Sequence, residues 1–197
     1  MAVLEIKKYP EEVLTKVAKP VQKVTPELQK LATDMLETMY AAPGIGLAAP
    51  QVGHSIRLCV IDIRLRNEAG EIDHENMTEL ERKVQFPLKL FNPVVISKDG
   101  KTTFEEGCLS VPGYSEIVHR ANSLILEALN VNGEKIKIEA DGLLASRLAD
   151  GGERVVDARR YQIVDQPGRV FRAVPVVGTC RGTEGVCPFA LVMESPG

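Results

Sequence analysis

Ser123–Glu139 reads S-L-I-L-E-A-L-N-V-N-G-E-K-I-K-I-E. Two apolar-rich runs, Ser123–Val131 and Lys135–Glu139, flank Asn132-Gly133, a dipeptide that favours a type I′ hairpin turn. So short a connection imposes antiparallel pairing. Upstream, Ile56–Ile63 (I-R-L-C-V-I-D-I) and Val94–Ser97 read as further strands. Ahead of these lies a helix, Pro26–Ala41, with Thr25 as N-cap and Pro26 at its first position. Leu28, Leu31, Ala32, Met35, Leu36 and Met39 recur at helical period and form one apolar stripe. Helix and strands do not alternate as βαβ units, so the expected class is α+β, with antiparallel sheets packed around helices.

The chain has 197 residues, 44% of them hydrophobic, which suffices for one buried core. Its 24 basic and 27 acidic residues leave a net charge of −3, giving no electrostatic reason to approach DNA or an anionic membrane. The cysteines, at 59, 108, 180 and 187, form neither a disulfide framework nor a C-x-x-C zinc knuckle. Met1–Pro10 lacks the apolar core of a signal peptide, and no window approaches 18 apolar residues. A reducing, cytoplasmic location is expected. Between Arg64 and Leu90 runs an acidic stretch that reads as a surface insertion, with a short helix around Thr78–Lys83.

Composition breaks near residue 146. Residues 1–145 hold 12 Lys and 5 Arg, whereas residues 146–197 hold no Lys, 7 Arg, nine Val and a single Ile. Seventeen basic residues face 21 acidic ones before the break, and 7 face 6 after it. A tail of 52 residues is small for a core of its own. Gln162–Val164 and Val170–Val177 are its two strand candidates.

Two motifs carry the chemistry. Gly44–Gln51, G-I-G-L-A-A-P-Q, combines glycines that let a ligand approach the backbone with an amide able to donate to a carbonyl oxygen. The bland reading of the glycines is a helix C-cap followed by a turn. Glu105–Ser110, E-E-G-C-L-S, places Cys108 after a glycine. Its thiol is a nucleophile, a metal ligand or a small buried hydrophobe. Cys59, within an apolar strand, reads as core.

These two motifs in this order, with K-K-Y-P and V-A-K-P before them and E-A-D-G-L-L-A after, resemble the peptide deformylase family over residues 1–145. The resemblance implies a metal-dependent hydrolase, normally with Fe2+ and also with Zn or Ni. Such an enzyme removes the formyl group from the N-terminal methionine of nascent peptides, which brings the ribosome into its surroundings. Carried over by position, Cys108 is the thiolate metal ligand. Gln51 and the backbone N–H of Leu109 hold the formyl oxygen as it becomes an oxyanion. Gly46 and Gly107 pair with the substrate backbone, and Ile45 and Leu143 wall the methionine pocket.

The family's third motif is a helix carrying H-E-x-x-H, which supplies two more metal ligands and a general base. Here Ser146–Arg154, S-R-L-A-D-G-G-E-R, follows the D-G-L-L-A segment instead, and no histidine occurs after His119. Aligned without a gap, Asp150 and Arg154 stand in the histidine positions and Gly151 in that of the glutamate. A guanidinium offers a metal no lone pair. His54, His74 and His119 lack the i, i+4 relation that would substitute. The expectation is therefore a deformylase-like domain, residues 1–145, lacking its metal helix, and an anomalous tail, residues 146–197, from a shifted frame or divergence. Replacement of that helix predicts uncovered apolar sheet faces. Activity is expected at background; the alternative is an inactive homologue that binds formylated or nascent peptide N-termini.

Overall fold

A computed structural model describes residues 2–64, 72, 77–154, 163–165 and 169–171; for 105–107, 111–116, 118, 150–154 and the last two segments it describes the backbone alone. In chain order the elements are α1 (Pro26–Ala41), β1 (Gly46–Ala48), β2 (Leu58–Ile61), α2 (Glu79–Lys83), β3 (Leu88–Asp99), β4 (Thr102–Cys108), β5 (Val111–Arg120), β6 (Ser123–Leu129), β7 (Lys135–Asp141), α3 (Gly142–Arg154), β8 (Ile163–Asp165) and β9 (Arg169–Phe171). Five strands form one antiparallel sheet in the order β1-β2-β3-β6-β7. The hairpins β4–β5 and β8–β9 stand as two-stranded sheets. The class is α+β, as expected.

The five-stranded sheet is covered on both faces. Leu58 and Val60 of β2 join Ala32, Met35, Leu36 and Met39 of α1 in one core. Cys59 and Ile61 join Leu144, Ala145, Leu148 and Ala149 of α3 in the other. Successive residues of a strand face opposite ways, so a central strand buried on both sides reads as an unbroken apolar run. That is why L-C-V-I carries no polar alternation, and why Cys59 is core.

The expected loss of the last helix is corrected here. α3 runs continuously through the compositional break, from Gly142 to Arg154. Leu144, Ala145, Leu148 and Ala149 keep the one-face spacing across the junction, so the second face of the sheet is covered after all. What these residues lack is the His-Glu-His set, not the helix.

The turn between β6 and β7 also differs from the expectation. Type I′ requires positive φ at both central residues, but of Asn132 and Gly133 only Gly133 has it, at 80°. The Gly133 N–H donates to the Asn130 carbonyl at 3.0 Å, and the Asn130 N–H to that of Glu134 at 2.9 Å. Asn130 Oδ1 accepts from the N–H groups of Asn132 and Glu134, and this side chain sets the longer loop. β3 is longer than Val94–Ser97 because irregular pairing around Pro93 lets the strand continue past a residue with no N–H. Of the acidic insertion, only Ile72 and the part from Met77 onward are described; His74 lies outside the described residues. The two tail strand candidates overlap β8 and β9, an antiparallel pair, while Gln162 and residues 172–177 lie outside the described residues.

Candidate functional site

β1 is the edge of the five-stranded sheet, and the Gly44–Gln51 motif runs along it. The Asp62 N–H donates to the Ile45 carbonyl at 3.0 Å. Alternation along an antiparallel pair then turns the N–H and C=O of Gly46 away from β2, toward the open edge. Among the described residues, a Cβ built on Gly46 would meet only the Val60 carbonyl, 3.9 Å away. Gly44 is different. A Cβ there would come within 2.8 Å of Leu109 Cδ1 and 3.3 Å of the Met39 carbonyl, so the glycine lets Leu109 lie against the end of α1.

After Ala48 the chain winds through one tight helical turn, Ala49–Val52, closed by Gly53 at φ 87°. This turn folds Gln51 back onto the edge. The Ala48 N–H donates to Gln51 Oε1 at 2.9 Å, which leaves Nε2 facing the other motif. Nε2 lies 3.3 Å from Ser110 Oγ and 3.9 Å from Cys108 Sγ. Cys108 ends β4 and pairs with Val111 across the two-residue turn Leu109-Ser110, with a register shift between Gly107 and Cys108. Such a shift re-aims the chain at the strand end. Cys108 and Leu109 are half-buried and Ser110 is buried.

The fold thus brings Gln51, Cys108 and Leu109 together, with Ile45 and Gly46 on the adjoining edge and Gly107 at the β4 irregularity. Leu143 stands in the first turn of α3, half-buried against the core that Ala48 also borders. Chemically, the arrangement offers an extended peptide a strand edge to pair with, and a fixed amide donor for a carbonyl at its end.

Behind the edge, Asp62 is buried and organises the neighbouring side chains. Tyr40 Oη donates to its Oδ2 at 2.7 Å, and Arg64 donates to both carboxylate oxygens at 2.8 and 2.6 Å. Burial alone would raise the Asp62 pKa, but the bonds from Arg64 and Tyr40 outweigh it and hold the carboxyl below its ordinary range. Burial, and then the bond to Asp62, push the Tyr40 phenol up to about 12.

Among the described residues, those that meet here do not fit a catalytic metal. Three protein ligands are needed, and of the described sulfur ligands only Cys108 lies at the site. Among the described residues no group of three His, Cys, Asp or Glu side chains converges. His54, in the turn, and His119, on β5, are both exposed.

Two contributors lie outside both motifs. Glu81, reaching from α2, is buried and caps two helices. Its Oε2 accepts from the Thr78 N–H at 2.9 Å, and its Oε1 from the Leu144 N–H of α3 at 2.9 Å. The first bond was legible as a T-x-x-E capping box; the second was not. The N-terminal segment Lys7–Tyr9 runs beside both motifs, and only its K-K-Y-P resemblance marked it.

The polypeptide deformylase family model matches residues 3–149. The peptide deformylase of Neisseria gonorrhoeae (strain ATCC 700825 / FA 1090) is 48% identical over 145 residues, 74% of this chain and 77% of that one. That of Thermodesulfovibrio yellowstonii is 44% identical over 148 residues, 75% and 81% of the two chains. The crystal structure of a peptide deformylase from Legionella pneumophila superposes with a TM-score of 0.66 at 40% identity, covering 78% of this chain and 81% of its own. With a family model and relatives of 44–48% identity matching about three quarters of the sequence, this chain belongs to the peptide deformylases.

Proposed function

We propose that this chain recognises the formyl-methionyl N-termini of nascent peptides and, with the sequence it has, binds them without hydrolysing them. The carrying observation is the coexistence, among the described residues, of a peptide-pairing edge and a fixed Gln51 amide with a donor set too small for a metal. Peptide deformylases are metal-dependent. Among the described residues Fe2+, Zn2+ or Ni2+ would find Cys108 here but no histidine pair and no adjacent general base, and in this reading no hydrolytic step runs through the site. In this reading Ile45 and Leu143 wall the methionine pocket, Gly46 and Gly107 pair with the peptide backbone, and Gln51 with the Leu109 N–H takes the formyl oxygen. The partners are formylated nascent chains leaving the ribosome, and the location is the cytoplasm. Among the described residues no helix is long and apolar enough to cross a membrane.

Titration with formyl-Met-Ala-Ser, with and without Ni2+, tests the reading. Saturable binding that metal does not alter, with formate release at background, is expected. Metal-dependent formate release at an enzymatic rate, or absence of binding, overturns it.

The tail belongs to the same proposal. Residues 146–197 derive from a shifted reading frame or a joining error, as supported by the loss of Lys after the break and by a family match that ends at residue 149. Sequencing the codons for Asp141–Arg160 decides it: another frame encoding H-E-x-x-H supports it, and the lack of one overturns it.

A further inference from the structure

We infer that Lys8 is a positioning residue of this site, holding the Leu109-Ser110 turn in register with Gln51; the inference rests on the peptide-binding role proposed above. The two motifs belong to different sheets: Gln51 follows β1 of the five-stranded sheet, and Leu109 joins β4 to β5. No strand pairing connects those sheets among the described residues. Their relative placement therefore depends on what bridges them. The direct contacts from Gln51 Nε2, at 3.3 and 3.9 Å, are long, which makes them a weak fastener.

The N-terminal segment supplies a shorter set. The Lys7 N–H donates to the Gln51 carbonyl at 2.8 Å, and the Tyr9 N–H donates to the Ser110 carbonyl at 3.0 Å. Between them, the Lys8 ammonium donates to the Leu109 carbonyl at 2.6 Å, across 101 positions of sequence. Three consecutive residues thus hold Gln51 on one side and two successive carbonyls of the second turn on the other. The backbone bonds do not depend on side-chain identity. The Lys8 bond does; it is charge-assisted and the shortest of the three, at a solvent-exposed position. Holding the carbonyls of both Leu109 and Ser110 restrains rotation of the turn, and so the direction of the Leu109 N–H relative to the Gln51 amide. The geometry of the two donors to one formyl oxygen is what Lys8 would govern, while pairing of the peptide along β1 proceeds without it.

The test compares the full chain with Lys8→Met and Lys8→Arg by titration with formyl-Met-Ala-Ser and with unformylated Met-Ala-Ser, alongside amide NMR spectra. Lys8→Met is expected to weaken formyl-peptide binding about five- to tenfold while leaving the unformylated peptide within about twofold. It should also displace the Leu109 and Ser110 amide resonances, and Lys8→Arg should restore both properties. Equal loss for both peptides, or unmoved resonances with unchanged formyl binding, overturns the inference. If the parent chain binds neither peptide, the proposed function fails by itself. The resonances then decide the Lys8 role separately: displacement in Lys8→Met with recovery in Lys8→Arg supports it, and unmoved resonances overturn it.

Discussion

The Gln51 amide nitrogen lies 3.9 Å from the Cys108 sulfur although 57 positions separate the two residues. The amide is held in that direction because its oxygen is already committed to the Ala48 N–H. Gln51→Glu keeps that acceptor and removes the donor. Formyl-peptide affinity should fall about tenfold, the equivalent of one hydrogen bond of about 1.4 kcal/mol, with little change in thermal midpoint. Peptide titration beside a melting curve checks both halves of this expectation.

Glu81 is 2% exposed and satisfies N–H groups at the starts of α2 and α3. Glu81→Ala leaves the buried Leu144 N–H and the half-buried Thr78 N–H unpaired. A loss of about 2–3 kcal/mol in urea-derived stability is expected. Faster hydrogen exchange at Leu144 would place part of that loss at α3, whereas stability within about 0.5 kcal/mol of the parent would contradict the double cap.

The Tyr40–Asp62 pair makes opposite pH dependences. Tyr40, raised to about 12, adds stability at pH below the ordinary tyrosine value, and this is lost as pH rises through about 12. Asp62, held low, adds stability above the ordinary carboxylate value, and this is lost as pH falls through its lowered one. Alkaline titration followed by phenolate absorbance should show one of the four tyrosines ionising late. Tyr40→Phe should abolish that late phase, and its persistence would assign it to another tyrosine.

A helix at the position of the family's third motif makes restoration a direct experiment. Asp150→His, Gly151→Glu and Arg154→His together write H-E-x-x-H onto α3, placing two imidazoles one turn apart. The triple variant is expected to bind one equivalent of Co2+ with a thiolate charge-transfer band. Adding Cys108→Ser should remove the band, and a chelator should reverse it. The parent chain should show no band. If the triple variant shows none either, Cys108 and α3 are not arranged to share a metal.

The parts legible in the sequence were those that depend on near neighbours. The stripe from Leu28 to Met39 predicted α1 with its observed bounds, and the short helix expected around Thr78–Lys83 is α2. Asn132-Gly133 predicted a hairpin but not its turn, because the deciding group was the Asn130 side chain two positions upstream. The β4–β5 pair leaves little trace in the sequence because Thr102, Thr103, Glu105, Glu106 and Gly107 give β4 no run of alternating apolar residues. The helix judged lost across residue 146 is present, since two glycines late in a helix cost about 1 kcal/mol each. Burying Leu144 and Leu148 against the sheet offsets that.

By itself the sequence determined the fold class, the two motifs, and the chemistry withheld from the third, because residue identity decides whether a lone pair exists to bind a metal. Only the tertiary structure decided how those motifs meet: Gln51 against the Leu109-Ser110 turn, Lys8 spanning the two, and Glu81 capping α3. The physical reason is range. Helical and strand periods arise from contacts a few residues apart and leave a spacing in the sequence. A bond between Lys8 and Leu109 forms only after two sheets have packed, and nothing in the order of residues records it.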